Sequence, residues 1–367
     1  MTAATAPRTL PSPALARLVA PATLPSLLHR QHAVLTVVGD DARDPRLPSF
    51  RAVLLNEVGR LFDRLVLPLL RPVWPGLDQH PFLTKWRAGY DLYCGLGLST
   101  IVCSSRRPPL VTLASRFLRA LGASETAIVV ASRAAIPVVY RLLERERCER
   151  VALGAAWILV LDEALDEALD DGMAGVSRVG KAAVMRRVVR GEAPPGCSPA
   201  LAAAAALAHA LRHRCRDDDD HRAFDALLTS ADAWIDGEIS SVAGDVDPTG
   251  CSFRMAGVTG SMDVLLWGVD AFAGDLERDF LYGIAELGQM ADDWLDIDKD
   301  AAQGRITPAI TGVWGIDDIA RVFARAEGTL HALSDHAGEP DGTFRRLLIR
   351  TFRGEVQRMT RTLVDNP

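Results

Sequence analysis

Apolar residues along this chain recur at intervals of three and four, with almost no strict alternation of apolar and polar positions. From Phe50 to Val66 the repeats are Val53/Leu54, Val58, Leu61/Phe62 and Leu65/Val66, one stripe of an amphipathic helix that Pro68 and Pro72 should end. The same spacing predicts a helix over 127–143, kinked at Pro137, and another over 149–171, closed by Gly172. The Ala-rich run 199–216 is helical by propensity. Further helices fit 224–242, 262–273, 276–299, 317–337 and 344–364, with breaks at 191–199, 245–250, 304–308 and 338–342. Val34 to Val38 is the only short strand candidate. The four like charges Asp217 to Asp220 read as a solvated loop or helix end. No break looks like a linker between independent domains. The expectation is a flexible leader over residues 1–30 and a single all-helical domain over 31–367.

Composition supports that reading. A chain that is 49% hydrophobic but only 6% aromatic draws its core from Ala, Leu and Val, and it holds far too much apolar mass to stay disordered. The length of 367 residues allows two or three domains, or one large helical one. A net charge of −6 argues against a nucleic-acid partner, which needs a basic face. The six cysteines lack any Cys-x-x-Cys pair, which excludes the usual zinc spacings and suggests no disulfide framework. No window of 18 apolar residues is free of charge, so no stable membrane insertion is expected. Pro7, Pro11, Pro13, Pro21 and Pro25 interrupt the N-terminal segment, which reads as a leader rather than a signal peptide. A cytoplasmic location follows as the expectation.

Two acidic rows carry the candidate chemistry. Asp292, Asp296 and Asp300 stand at i, i+4 and i+8, on one face of a helix. Asp162, Asp166 and Asp170 repeat the spacing 130 residues earlier, with Glu163, Glu167 and Asp171 in a parallel row. Like charges at i, i+4 destabilise an isolated helix, so something must neutralise them. Basic residues are scarce: none lies between Val151 and Arg178, and the later segment has only Lys299. Hard divalent cations suit all-oxygen ligands, and magnesium binds through one or two carboxylates plus phosphate oxygens and water. Small residues, Gly288 and Ala285, precede Asp292 on its face and leave room for a ligand. The apolar stretch from Val151 to Leu161 precedes Asp162 and would place a greasy lining beside the carboxylates.

These residues resemble the class I isoprenoid synthases, the trans-polyprenyl diphosphate synthases and class I terpene synthases. Gln289, Asp292, Asp293 and Asp296, followed by Gly304-Arg305, look like the second acidic motif of the prenyltransferases. Asp292, Asp296 and Asp300 also fit the spacing of the terpene cyclases' second metal motif. Asp162-Glu163-Ala-Leu-Asp166 stands where the first motif should be, with Glu in place of its second Asp. The segment Cys103 to Pro108 keeps only the Arg107-Pro108 of the isopentenyl diphosphate site, and an Arg-Arg-Gly after the first motif is absent.

The resemblance implies an all-α, isoprenoid-synthase-like helical barrel with a central cavity. It implies several Mg2+ ions held by Asp162, Asp166, Asp292, Asp296 and Asp300, together with a prenyl diphosphate substrate. Arg254, which reads equally as a surface arginine, and Arg305 would grip the diphosphate, and Gln289 would join them in the catalytic set. The implied activity is ionisation of an allylic prenyl diphosphate followed by cyclisation or rearrangement. Chain elongation with isopentenyl diphosphate and a non-catalytic helical subunit stay open, as does a homodimer. Trp157, Trp267, Phe280, Tyr282 and Trp294 lie near the motifs and read first as core, second as cation stabilisers. His209, His213 and His221 read as surface.

Overall fold

The computed structural model contains helices of up to 25 residues. It describes residues 50–80, 82–103, 116–169, 175–242, 251–270, 274–302 and 306–336, and all regular structure among them is helical. In chain order the helices are α1 (Phe50–Leu61), α2 (Leu67–Leu70), α3 (Phe82–Cys103), α4 (Glu125–Val138), α5 (Arg145–Leu169), α6 (Arg178–Val188) and α7 (Pro199–Arg212). They continue with α8 (Asp218–Val242), α9 (Cys251–Gly268), α10 (Asp275–Leu295), α11 (Ile297–Ala302) and α12 (Ile316–His336). The expected leader, the strand at 34–38, Asp170 and Asp171 at the ends of the first acidic rows, Arg305 and the helix at 344–364 lie outside the described residues.

Helix α5 is the hub. It packs against α3, α7 and α9, and every residue from Arg150 to Ile158 is buried. Helix α8 lies along α9, and α10 along α12. The core is aliphatic, as the composition requires, with Trp86, Trp157, Tyr90, Tyr140 and Phe224 among its largest members.

Several boundaries differ from the sequence pattern, each for a physical reason. Pro68 does not end its helix: a π-helical turn, Phe62–Val66, precedes it, and helical structure runs on to Leu70. The wider turn accommodates the ring and the missing N–H donor. A second π turn, Val139–Leu143, follows Pro137. The block Asp217 to Asp220 opens α8, and its last member is not solvated. Asp220 is buried, with its carboxylate 2.7 Å from Arg216 Nε and 3.4 Å from the buried Arg150 Nη1. The stretch Thr126–Leu143 is long and apolar enough, by length and composition, to cross a membrane, and little of it is buried. It carries Arg133 and Arg141, so a search for charge-free windows passes over it.

Helix α3 has no counterpart in the expected elements, because Gly89, Gly95 and Gly97 lower its apparent propensity. The glycines serve packing. A Cβ on Gly89 would lie 2.8 Å from Leu159 Cδ2, and one on Gly97 would press still closer on Val151 Cγ1. Their absence of side chain lets α3 lie directly on α5. Gly97→Val should therefore destabilise the protein by about 2–3 kcal/mol, an overpacking cost. A denaturant titration showing no loss would mean the two helices are free to separate.

Candidate functional site

The site lies where α3, α5 and α9 pack on one another, with α10 laid against α9. The C-terminal half of α5 alternates buried Ala164, Leu165 and Ala168 with exposed Asp162 and Asp166 and half-buried Glu163 and Glu167. The apolar face fixes the helix in the core, and the carboxylates follow on the other side by periodicity alone. Lys181 does not answer these acids. Its ammonium donates to the carbonyl of Ala168 at 2.6 Å, satisfying a carbonyl at the helix end.

On α10 the acids divide between two environments. Asp292 is exposed, whereas the adjacent Asp293 is fully buried. The helix breaks at Asp296, whose backbone (φ −96°, ψ 9°) leaves the helical region, and α11 then carries Asp300 into the interior at 2% exposure. The row Asp292–Asp296–Asp300 is thus not one uniform face. Asp300 faces Arg254, with Oδ2 3.7 Å from its Nη2.

Arg254 is the centre of this interior cluster. It stands in the first turn of α9, which begins eleven residues before the expected 262. Its Nε lies 2.9 Å from Asp293 Oδ1, an ion pair without hydrogen-bond alignment, and its Nη1 lies 3.9 Å from Glu238 on α8. Gln289 donates from Nε2 to Asp293 Oδ1 at 3.0 Å. The surface-arginine reading is thereby corrected, since the Arg254 side chain is only 12% exposed. Arg254 and Gln289, expected to meet substrate, here position carboxylates. One buried cation is attractive to several carboxylates at once, and that pulls Asp300 away from the exposed row.

One guanidinium cannot neutralise all of these acids. Burial, reinforced by the charges of Asp292 and Asp300, outweighs Arg254 and Gln289 and raises the Asp293 pKa to about 7. The sign for stability follows. Between about pH 4 and pH 7 the unfolded chain releases this proton and the folded chain keeps it, so stability falls as pH rises, and levels off above 7. The loss is at most about 4 kcal/mol. Asp293→Asn should therefore stabilise the metal-free protein at pH 8 and leave it nearly unchanged at pH 4. Denaturation in the presence of a chelator, at both pH values, measures this, and equal effects at the two would refute it.

Both acidic helices act on a residue that sequence reasoning missed. Tyr93, half-buried on α3, has its phenol pKa raised by burial first and then by the charges of Asp162 and Asp292. Both carboxylates therefore act electrostatically on this one ring. Beside Asp292 there is space: a Cβ added at Gly288 would meet no atom within 4 Å. A search for aromatic residues near the motifs along the chain overlooks Tyr93, because α3 was not read as a helix and lies about 70 residues before Asp162.

Among the described residues, no group of three or more His, Cys, Asp or Glu side chains is arranged to hold a metal ion. The five expected ligands are thus not one assembled cluster. The donor chemistry still suits magnesium. Asp162 and Asp292, on different helices, both act on Tyr93, and this ion needs only one or two carboxylates when phosphate and water complete its shell.

Three of the five nominated aromatics are core. Trp157, Trp267 and Phe280 are buried, and Trp267 is covered by the Arg150 guanidinium at 4.9 Å. Tyr282 donates its hydroxyl to Asp263, and Trp294 donates from Nε1 to the Trp314 carbonyl at 3.2 Å. His209, His213 and His221 are exposed, as expected. No protein-family model, curated protein or solved structure matches the chain.

Proposed function

We propose that the chain is a magnesium-dependent class I isoprenoid synthase that ionises an allylic prenyl diphosphate and cyclises or rearranges the resulting cation. The observation that supports this reading is that Asp162 and Asp292, 130 residues apart in sequence, both act on the Tyr93 phenol. Solvated acidic faces have no reason to act on one ring. Like charges repel, and a fold that brings them together invites a bound cation.

Asp162, Asp166, Asp292 and Asp296 would hold magnesium, which supplies stabilisation of the charge that develops on the departing diphosphate. The protein's own residues do the rest. Arg254 and Gln289 fix Asp293 and Asp300, and so set the direction in which Asp292 and Asp296 point. The open space beside Gly288 admits substrate next to Asp292. The buried aliphatic faces of α5 and α9 would supply the dry lining that a carbocation needs. Ionisation itself requires no general base.

Product analysis tests the reading. The protein is incubated with ten-, fifteen- and twenty-carbon allylic diphosphates and magnesium, with and without isopentenyl diphosphate. Hydrocarbon or alcohol product without the co-substrate supports the cyclase. Longer diphosphates formed only with the co-substrate would instead identify chain elongation. Absence of turnover with every substrate would leave a non-catalytic subunit as the better reading.

A further inference from the structure

A second metal site, unrelated to the acidic helices, lies on the outer face of α7. We infer that His209 and His213 form a surface chelate for a borderline divalent transition ion, Cu2+, Ni2+ or Zn2+. Both side chains are exposed and stand at i and i+4, the spacing that puts two imidazoles on one helical face. Their Nε2 atoms are 2.9 Å apart. That gap admits at most one proton, so at least one nitrogen presents a bare lone pair to the other.

The ring geometry, which in the metal-free chain accommodates a bent N–H···N bond, also matches the spacing of a chelate. The two centroids are 4.3 Å apart with the planes at 83°. Two imidazoles bonded head-on through Nε2 at this separation would place their centroids about 5.2 Å apart. Two imidazoles sharing a metal at about 2.05 Å, at a right angle, would have nitrogens about 2.9 Å and centroids about 4.5 Å apart. A tetrahedral angle would spread the nitrogens to about 3.4 Å. The separations of this pair match those of two ligands at a right angle, the geometry of tetragonal Cu2+ or Ni2+ with water in the other positions.

The surroundings favour a cation. The flanking arginines are each answered by a carboxylate: Arg212 by Asp225 at 2.9 Å, and Arg214 by Glu149. Neither guanidinium is therefore an uncompensated charge beside the pair. The backbone is held as well. The His213 N–H donates to the His209 carbonyl at 3.1 Å, and the turn at Gly191 packs against the His209 backbone. The two rings thus project from a fixed turn.

Calorimetric titration of the full chain with CuCl2, NiCl2 and ZnCl2, in excess magnesium to occupy the acidic rows, tests the site. The comparison proteins are His209→Ala, His213→Ala and His221→Ala, with circular dichroism confirming that each stays helical. One equivalent of Cu2+ or Ni2+ should bind the parent and His221→Ala, and bind about tenfold or more weakly to either of the other variants. The Cu2+ spin resonance spectrum of the parent should show two equatorial imidazole nitrogens, and each single variant one. Equal titrations for the parent and both chelate variants, or no binding to the parent, would overturn the inference. Neither result bears on the isoprenoid reading, because that site uses oxygen ligands on other helices.

Discussion

Asp162→Asn and Asp292→Asn are each expected to lower turnover of an allylic diphosphate by about 100-fold or more at saturating magnesium, the scale of losing one well-placed charge-stabilising group. The double variant should be little worse than the poorer single one. Groups that act as a unit are not additive, and a site missing one wall gains nothing from keeping the other. Stability should move little, and upward if at all. Both side chains are exposed, and each removal relieves like-charge repulsion around Tyr93. Initial rates of diphosphate release for the parent, both singles and the double decide the matter. Multiplicative losses would place the two aspartates in separate sites, and unchanged rates would remove them from the chemistry.

Arg254→Met should produce the largest loss of stability of any change near the site. The methionine keeps much of the volume but leaves Asp293, Asp300 and Glu238 facing one another without the buried cation between them. Removing one partner of a buried ionic cluster costs about 3–5 kcal/mol. In a chain of this size that is a melting-point drop of roughly 4–7 °C. Adding Asp293→Asn to Arg254→Met should restore part of the loss, because it takes away the most buried of the stranded carboxylates. If Arg254→Met melts with the parent, the guanidinium does not hold the cluster together. If the second change makes matters worse, the contact between Gln289 and Asp293 matters more than their charges.

Helix existence was legible wherever a long apolar stripe had no competing signal. Helix α10 was expected within a residue at its start, and α12 within one at each end. Glycine misled the reading twice. On α3, Gly89 and Gly97 are contact surfaces for α5 rather than breaks, which a single sequence does not reveal. On α9, Gly257 and Gly260 hid the first three turns, although they only make room for Trp234. The site was legible as two acidic rows, because the period of 3.6 survives in charge as well as in hydropathy. Its division was not. Whether an aspartate at i or at i+1 turns inward depends on where a cation from another helix stands. Arg254 sits 38 residues before Asp292 in sequence, and only the packing of α9 on α10 makes them neighbours. Tyr93 was lost for the same reason, since its importance lies in what surrounds it.

The central claim is that both acidic helices serve one magnesium–diphosphate site, and calorimetric titration of inorganic diphosphate addresses it most directly. The parent should bind diphosphate tightly with magnesium and barely without it, since the anion alone meets a negative surface. With ligands about a hundredfold above the dissociation constant, the melting free energy should rise by roughly 2.7 kcal/mol. The Asp162→Ala/Asp292→Ala variant should bind equally weakly in both conditions. Diphosphate affinity in the parent that is the same with and without magnesium would contradict the account.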